Sequence, residues 1–249
     1  MSGSISTAEV ADRLEAEDLA RARWYSFFSR WFLAPPDQQS IDLFIQPAGS
    51  FACSNPAADH PAEPAPDALA RATSPASSSP DSSSAQREPA TPESRLETAW
   101  QAFTAAVGGT SLESIRSAYD DTFITVGEAP VSLHASVYLT GFANERPLAE
   151  VRQWLAAQGI QTNQSGLLTE DHLGVLCEVM AWLIVERGDT AAAGDEPPQQ
   201  YLFQRYIAPV CDEFCNRFVE APDAGIYRQL GQLFSAFCAI ERQAFDIDK

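Results

Sequence analysis

The tripeptide Glu170-Asp171-His172 sets two carboxylates and an imidazole directly ahead of an apolar stretch. Carboxylates recognise guanidinium groups through charge-assisted hydrogen bonds, and imidazole titrates near neutrality. Thr169 fits an N-cap, which predicts Glu170, Asp171 and His172 as the first three helical residues. Carboxylates at that end offset the positive pole of the helix dipole, so Glu170 and Asp171 have a structural reason to be there. A histidine cation would be disfavoured at the same end, which makes His172 the sharper functional candidate.

A second constellation is Cys211 and Cys215, four residues apart and therefore on one helix face. Two metal ligands would need that spacing, with further ligands from His172, His134, Cys177 or carboxylates. No paired Cys-x-x-Cys motifs accompany them, so the pair reads as small apolar residues in a helix seam. Nucleophilic catalysis lacks a Gly-x-Ser-x-Gly turn, and of the three histidines neither His134 nor His172 sits in a nucleophile signature, while His60 lies in a low-complexity stretch. The glycines form neither a Walker loop nor a dinucleotide fingerprint. The expectation is a protein without catalysis, cofactor or bound metal.

The chain has 249 residues, and 16 basic against 34 acidic side chains give a net charge of −18. Such a field repels nucleic acid and anionic membrane surfaces and speeds encounter with basic partners. The five cysteines follow no disulfide framework, the N-terminus is acidic and polar rather than a secretory signal, and no apolar run is long enough for a membrane span. A reducing cytoplasm is the compartment these features predict.

Helical periodicity dominates the chain. Trp24, Phe27, Phe28 and Trp31 share a face in a helix predicted from about Val10 to Leu33, stopped by Pro35-Pro36. A short helical piece follows near Ile41 to Ile45. From about 47 to 92 the composition turns to Pro, Ala and Ser, too poor in apolar residues to offset the entropy of ordering, which predicts a disordered insertion. Thr91-Pro92 opens the next helix, with Leu96, Trp100, Phe103 and Val107 inward, and Ser111 caps another that carries Leu112, Ile115, Tyr119 and Phe123. Arg146-Pro147 begins a helix that Gly159 ends. Leu173, Leu176, Cys177, Met180, Leu183 and Ile184 mark an amphipathic helix closed by Gly188. The stretch from Gln200 to Val219 contains Pro209, which predicts a kink or break, and a final helix runs from about Asp223 to Phe245. Ser136-Val-Tyr-Leu139 is the best strand candidate and too short to build a sheet. The predicted fold is all-α, a single domain of eight or nine helices.

Three blocks resemble one known family. They are Ser136-Val-Tyr-Leu-Thr-Gly-Phe142 with Leu148 to Ile160, then Glu170-Asp-His-Leu-Gly-Val-Leu-Cys-Glu-Val-Met-Ala-Trp-Leu183, then Phe203-Gln-Arg-Tyr-Ile-Ala-Pro-Val210 with Phe214, Phe218 and Ile226 to Leu233. Together they are similar to the TorD/DmsD/NarJ family of redox-enzyme maturation chaperones. The resemblance implies an all-helical bundle that binds the twin-arginine signal peptide of a molybdopterin-type oxidoreductase until cofactor insertion is complete. It implies Asp171 and His172 as peptide-binding residues, with Tyr119 and Phe123 in the preceding helix. A Pro-Pro-Trp-Gly run of some members is replaced here by Val131-Ser-Leu-His-Ala135, where His134 is the candidate substitute, and the Pro/Ser-rich insertion is outside the family pattern. A NarJ-like relative would bind the enzyme subunit itself; a monomer or a helix-exchanged dimer are both open.

A twin-arginine peptide presents two guanidinium groups and an apolar stretch. Asp171, with Glu170, would receive the first; Tyr119, Phe123, His134 and Tyr138 would line a groove for the second. On this reading, alanine at both Asp171 and His172 abolishes peptide binding and leaves melting nearly unchanged. Deleting Phe51 to Pro89 is expected to leave the melting temperature within a few degrees by calorimetry; collapse of the fold would show that the insertion is structural.

Overall fold

A computed structural model describes residues 15–45, 91–124, 129–161, 168–188, 196–221 and 224–247. The insertion predicted at 47–92 lies outside them except for its last two residues, Thr91 and Pro92, which open a helix; residues 10–14 of the first predicted helix are also outside. Every named element among the described residues is a helix, and turns and loops join them. In chain order they form α1 (Ala16–Leu33), α2 (Gln38–Ile45), α3 (Pro92–Gly108), α4 (Leu112–Phe123), α5 (Ala135–Thr140), α6 (Arg146–Ala157), α7 (Leu173–Arg187), α8 (Pro198–Leu202), a π-helical turn (Phe203–Ile207), α9 (Ala208–Glu220) and α10 (Tyr227–Ile247).

The predicted caps do their work. Thr91 accepts the amide of Ser94 at the start of α3, and Ser111 accepts that of Ser114 at the start of α4. Gly159 follows α6 with φ 71°, a left-handed conformation open to glycine. Pro209 is absorbed rather than breaking the chain. It lacks an amide, and the backbone widens into a π turn in which Ala208 donates to Phe203 five residues back.

Two expectations need correction. Ser136 to Leu139 is not a strand candidate in the fold but part of α5. The stretch is too short to decide its own state, and a carboxylate from elsewhere caps it, as described below. The helix from Leu173 is not amphipathic in the usual sense: Val175, Val179 and Ala181 are buried as well as the predicted stripe, leaving Glu178, Trp182 and Glu186 outside. A helix apolar nearly all round belongs at the centre of a bundle, and α7 lies there, with α1 packed along it.

The rest of the core is aromatic. Phe27 and Trp31 of α1 meet Phe103 of α3 edge-on at 5.7 and 5.0 Å, and Phe28 meets Phe234 of α10 at 4.9 Å. Edge-to-face pairs at such distances add to the burial of area itself. One charged pair is sealed between the same helices. The Arg21 guanidinium donates from Nε and Nη2 to the two oxygens of Glu241, at 2.8 and 3.0 Å, and Tyr25 donates to the same carboxylate at 2.8 Å. Glu241 is only 1% exposed. Against the downward pull of burial, these contacts raise the Arg21 guanidinium above its ordinary range.

Breaking one side of a buried pair leaves an uncompensated charge. Glu241→Ala is expected to lower unfolding free energy by about 3 kcal/mol in urea titration; a loss below about 1 kcal/mol would show that water replaces the carboxylate.

Candidate functional site

The described helix does not begin where the spacing predicts. His172, not Thr169, is the N-cap of α7, with extended backbone and its Nδ1 accepting the Gly174 amide at 3.1 Å. Glu170 and Asp171 stand in the turn before the helix. Each of the three residues then fastens a different element. His172 closes α7. Asp171 reaches across 35 residues to the start of α5, where its Oδ2 accepts the Ser136 amide at 3.1 Å and the Ser136 hydroxyl at 2.5 Å. Glu170 takes both oxygens to Arg152 of α6, at 3.0 and 2.8 Å.

The backbone reinforces this junction. Ala135 donates to Asp171 O at 2.9 Å and Leu173 donates to Leu133 O at 2.7 Å, an isolated antiparallel bridge between His134 and His172. Asp171 therefore acts as the cap of α5 from a distance. A carboxylate there satisfies orphan amides and meets the positive end of the dipole. Its other oxygen accepts from the Thr169 hydroxyl at 2.5 Å, and Thr169 lies 3.1 Å from His134 Nδ1. With Thr169 donating to the carboxylate, His134 Nδ1–H donates to Thr169, and a relay runs from imidazole to hydroxyl to carboxylate.

Burial alone would raise the Asp171 carboxyl; hydrogen bonds from His134, Ser136 and Thr169 outweigh it and hold the group well below the usual carboxylate range. His172 moves the other way. Burial, reinforced by His134 and opposed by Asp171, pulls it down to about 4. The imidazole is neutral at pH 7, as an acceptor Nδ1 requires. The cation that would be disfavoured at a helix N-terminus does not form, so His172 has a structural role after all.

The other predicted residues divide. His134 and Tyr138 belong to this neighbourhood: the His134 side chain is 34% exposed, and Tyr138 donates to Ser132 O at 2.7 Å. Tyr119 does not. It is buried, donates to Phe32 O at the end of α1 at 2.9 Å, and packs with Phe123 on Tyr227. Neither aromatic lines the open groove beside the junction, because each is used inside the helix bundle. That groove, about 320 Å³, is bounded by Ser132, Val137, Tyr138, Gly141, Phe142 and Arg217. Sequence reading missed Phe142, which is 70% exposed; an aromatic after Gly141, itself at φ 88°, was the available signal.

Cys211 and Cys215 place their sulfurs 4.0 Å apart, and Cys215 also donates to Gly231 O. Burial pushes the Cys177 and Cys238 thiols up, the condition of inert packing cysteines. Among the described residues no group of three or more His, Cys, Asp or Glu side chains is arranged to hold a metal. Among the described residues no helix is long and apolar enough to cross a membrane.

Because Asp171 and His172 cap two helices, alanine at both does not spare stability; each lost cap costs about 1 kcal/mol. The His172 pKa falls from 6.5 free to about 4 folded. Its contribution is therefore complete above pH 6.5 and is lost as pH falls toward 4, on the order of 3 kcal/mol. Asp171 adds a loss at still lower pH. Unfolding free energy should drop between pH 6.5 and 4, and His172→Asn, a cap that does not titrate, should flatten that slope; an equal slope in the variant would place its origin elsewhere. Residues 90–219, which include this whole junction, match a family model described as the nitrate reductase delta subunit.

Proposed function

The chain belongs to the nitrate reductase delta subunit family, and on that premise we propose that it is a cytoplasmic, non-catalytic chaperone that binds the twin-arginine signal peptide of a molybdopterin-type oxidoreductase until its cofactor is in place. Membership carries the broader role, assistance in maturing a redox enzyme. The peptide, the compartment and the binding residues are the proposal.

The observation that carries it is an open groove together with a half-buried carboxylate, Glu170, whose cationic partner, Arg152, reaches the surface. Tyr138 and Phe142 give the groove an apolar wall for the hydrophobic part of a signal peptide. Ser132, on the groove, bonds the His134 amide, and His134 leads to Thr169 and Glu170. Asp171 has no exposed oxygen to offer: it is fully buried and its hydrogen bonds are taken. Glu170 is half-buried, 18% exposed, and Arg152 holds both its oxygens, but that partner is 58% exposed, so an incoming guanidinium would take the place of a solvent-screened one. In this reading Glu170 contacts the peptide arginine, while Asp171 and His172 position the groove. The net charge of −18 favours encounter with a basic peptide.

The name of the matching family favours a second reading, in which the enzyme subunit itself is the ligand. Calorimetry separates them. A twin-arginine peptide should bind the wild type, and Glu170→Gln should weaken it about tenfold, with Phe142→Ser also weaker and neither variant changed in melting. Full affinity in Glu170→Gln would sink the guanidinium assignment; binding only to a client lacking its leader would establish the subunit reading.

A further inference from the structure

On the side of α5 away from the peptide groove, a cleft of about 420 Å³ opens between the α5–α6 junction and the π turn. We propose that it binds a proton-bearing phosphate group, as inorganic phosphate or a phosphomonoester. In a chain of charge −18, two arginines bound this cleft, Arg146 and Arg205, against one carboxylate, Glu150. Arg205 makes no ion pair among the described residues. Its guanidinium is instead held 5.1 Å over the ring of Tyr201, which stacks on Trp154 at 4.9 Å and 14°. Such a ladder orients a cation without neutralising it.

Tyr206 supplies the independent sign of a ligand. It is only 2% exposed, and its hydroxyl has no hydrogen-bond partner in the protein. Tyr206 itself lines the cleft, on the same wall as Glu150 and Arg205. Buried polar groups are almost always satisfied, and an orphan at a cleft marks an absent partner.

Glu150 decides which anion fits. Arg146 bonds it at 2.5 Å, so the cleft keeps a net positive charge, but a carboxylate on the wall needs a donor from the ligand. Mono- and dihydrogen phosphate carry that proton at neutral pH, a phosphomonoester carries it only near and below its second pKa of about 6, and sulfate does not. Arg205 and the Tyr206 hydroxyl would donate to the phosphoryl oxygens while Glu150 accepts the P–OH. The cleft exceeds one phosphate in volume, which leaves room for an ester substituent.

The full-length protein, titrated calorimetrically at low ionic strength and about pH 6, where the ester also carries a proton, with inorganic phosphate, phenyl phosphate and sulfate, tests this. Saturable phosphate binding is expected, about fivefold weaker in Tyr206→Phe and at least tenfold weaker in Arg205→Gln. Melting should be unchanged in both, since one loses an unpartnered hydroxyl and the other an exposed side chain. Tighter binding of phenyl phosphate would identify an ester as the ligand, and equal binding free phosphate. No saturable heat, sulfate binding as tight as phosphate, or two variants at wild-type affinity would overturn the proposal.

Discussion

A buried carboxylate at the mouth of a six-residue helix organises the region that matters in this molecule. Asp171 lends its oxygens to the amide and hydroxyl of Ser136, and α5 is too short to persist without such help. The next residue, His172, closes α7 with its own ring. The preceding one, Glu170, holds α6 through Arg152. Three consecutive side chains thus tie together three helices that are remote in sequence. Their energetic weights differ. A buried, charge-assisted cap and a neutral histidine cap are each worth about 1 kcal/mol or more, whereas a solvent-exposed pair contributes little. Asp171 and His172 belong to the frame, and Glu170 is the member whose pair reaches the surface, through Arg152.

The frame rests in turn on the end of α1. A Cβ at Gly174 would lie 2.8 Å from Leu33 Cγ and 3.2 Å from His172 Nδ1, so glycine is what lets the cap and the helix end approach so closely. One turn away, Tyr119 donates to the carbonyl of Phe32, satisfying a group that the helix end leaves open. α1 is fixed by its aromatic face against α3 and α10 and by the Arg21–Glu241–Tyr25 cluster. The groove beside this junction therefore inherits its geometry from contacts made elsewhere in the bundle. This explains why an outward-looking surface can be built on loops and a short helix.

That division separates residues that hold a binding surface from those that touch a ligand. On the proposed function, removing any member of Glu170-Asp171-His172 would weaken binding, but for different reasons: loss of a cap would disorder the groove, and loss of Glu170 would remove a contact. The phosphate cleft on the opposite side of α5 follows the same logic, with Tyr201 and Trp154 holding Arg205 while Tyr206 and Glu150 face the ligand.

Much of the architecture was legible in the residues alone. Period-3.6 apolar spacing, Thr91 and Ser111 as caps, Gly159 as a stop and Pro209 as an interruption are local effects, and local physics decides them. The importance of Glu170, Asp171 and His172 was also visible, as was the absence of catalytic motifs. What each of the three does was not. Whether Thr169 or His172 caps α7 depends on whether Asp171 is engaged elsewhere, and its partner Ser136 is 35 residues away. The same distant bond turns a β-prone tetrapeptide into helix. Tyr119 and Phe123 looked like groove residues because burial of an aromatic is set by what packs over it, here Tyr227 and Phe218 from the far end of the chain. Sequence alone determined the helices and the residues worth attention; only tertiary structure assigned the roles, because a cap, a burial or a free carboxylate is a relation between segments that no local spacing contains.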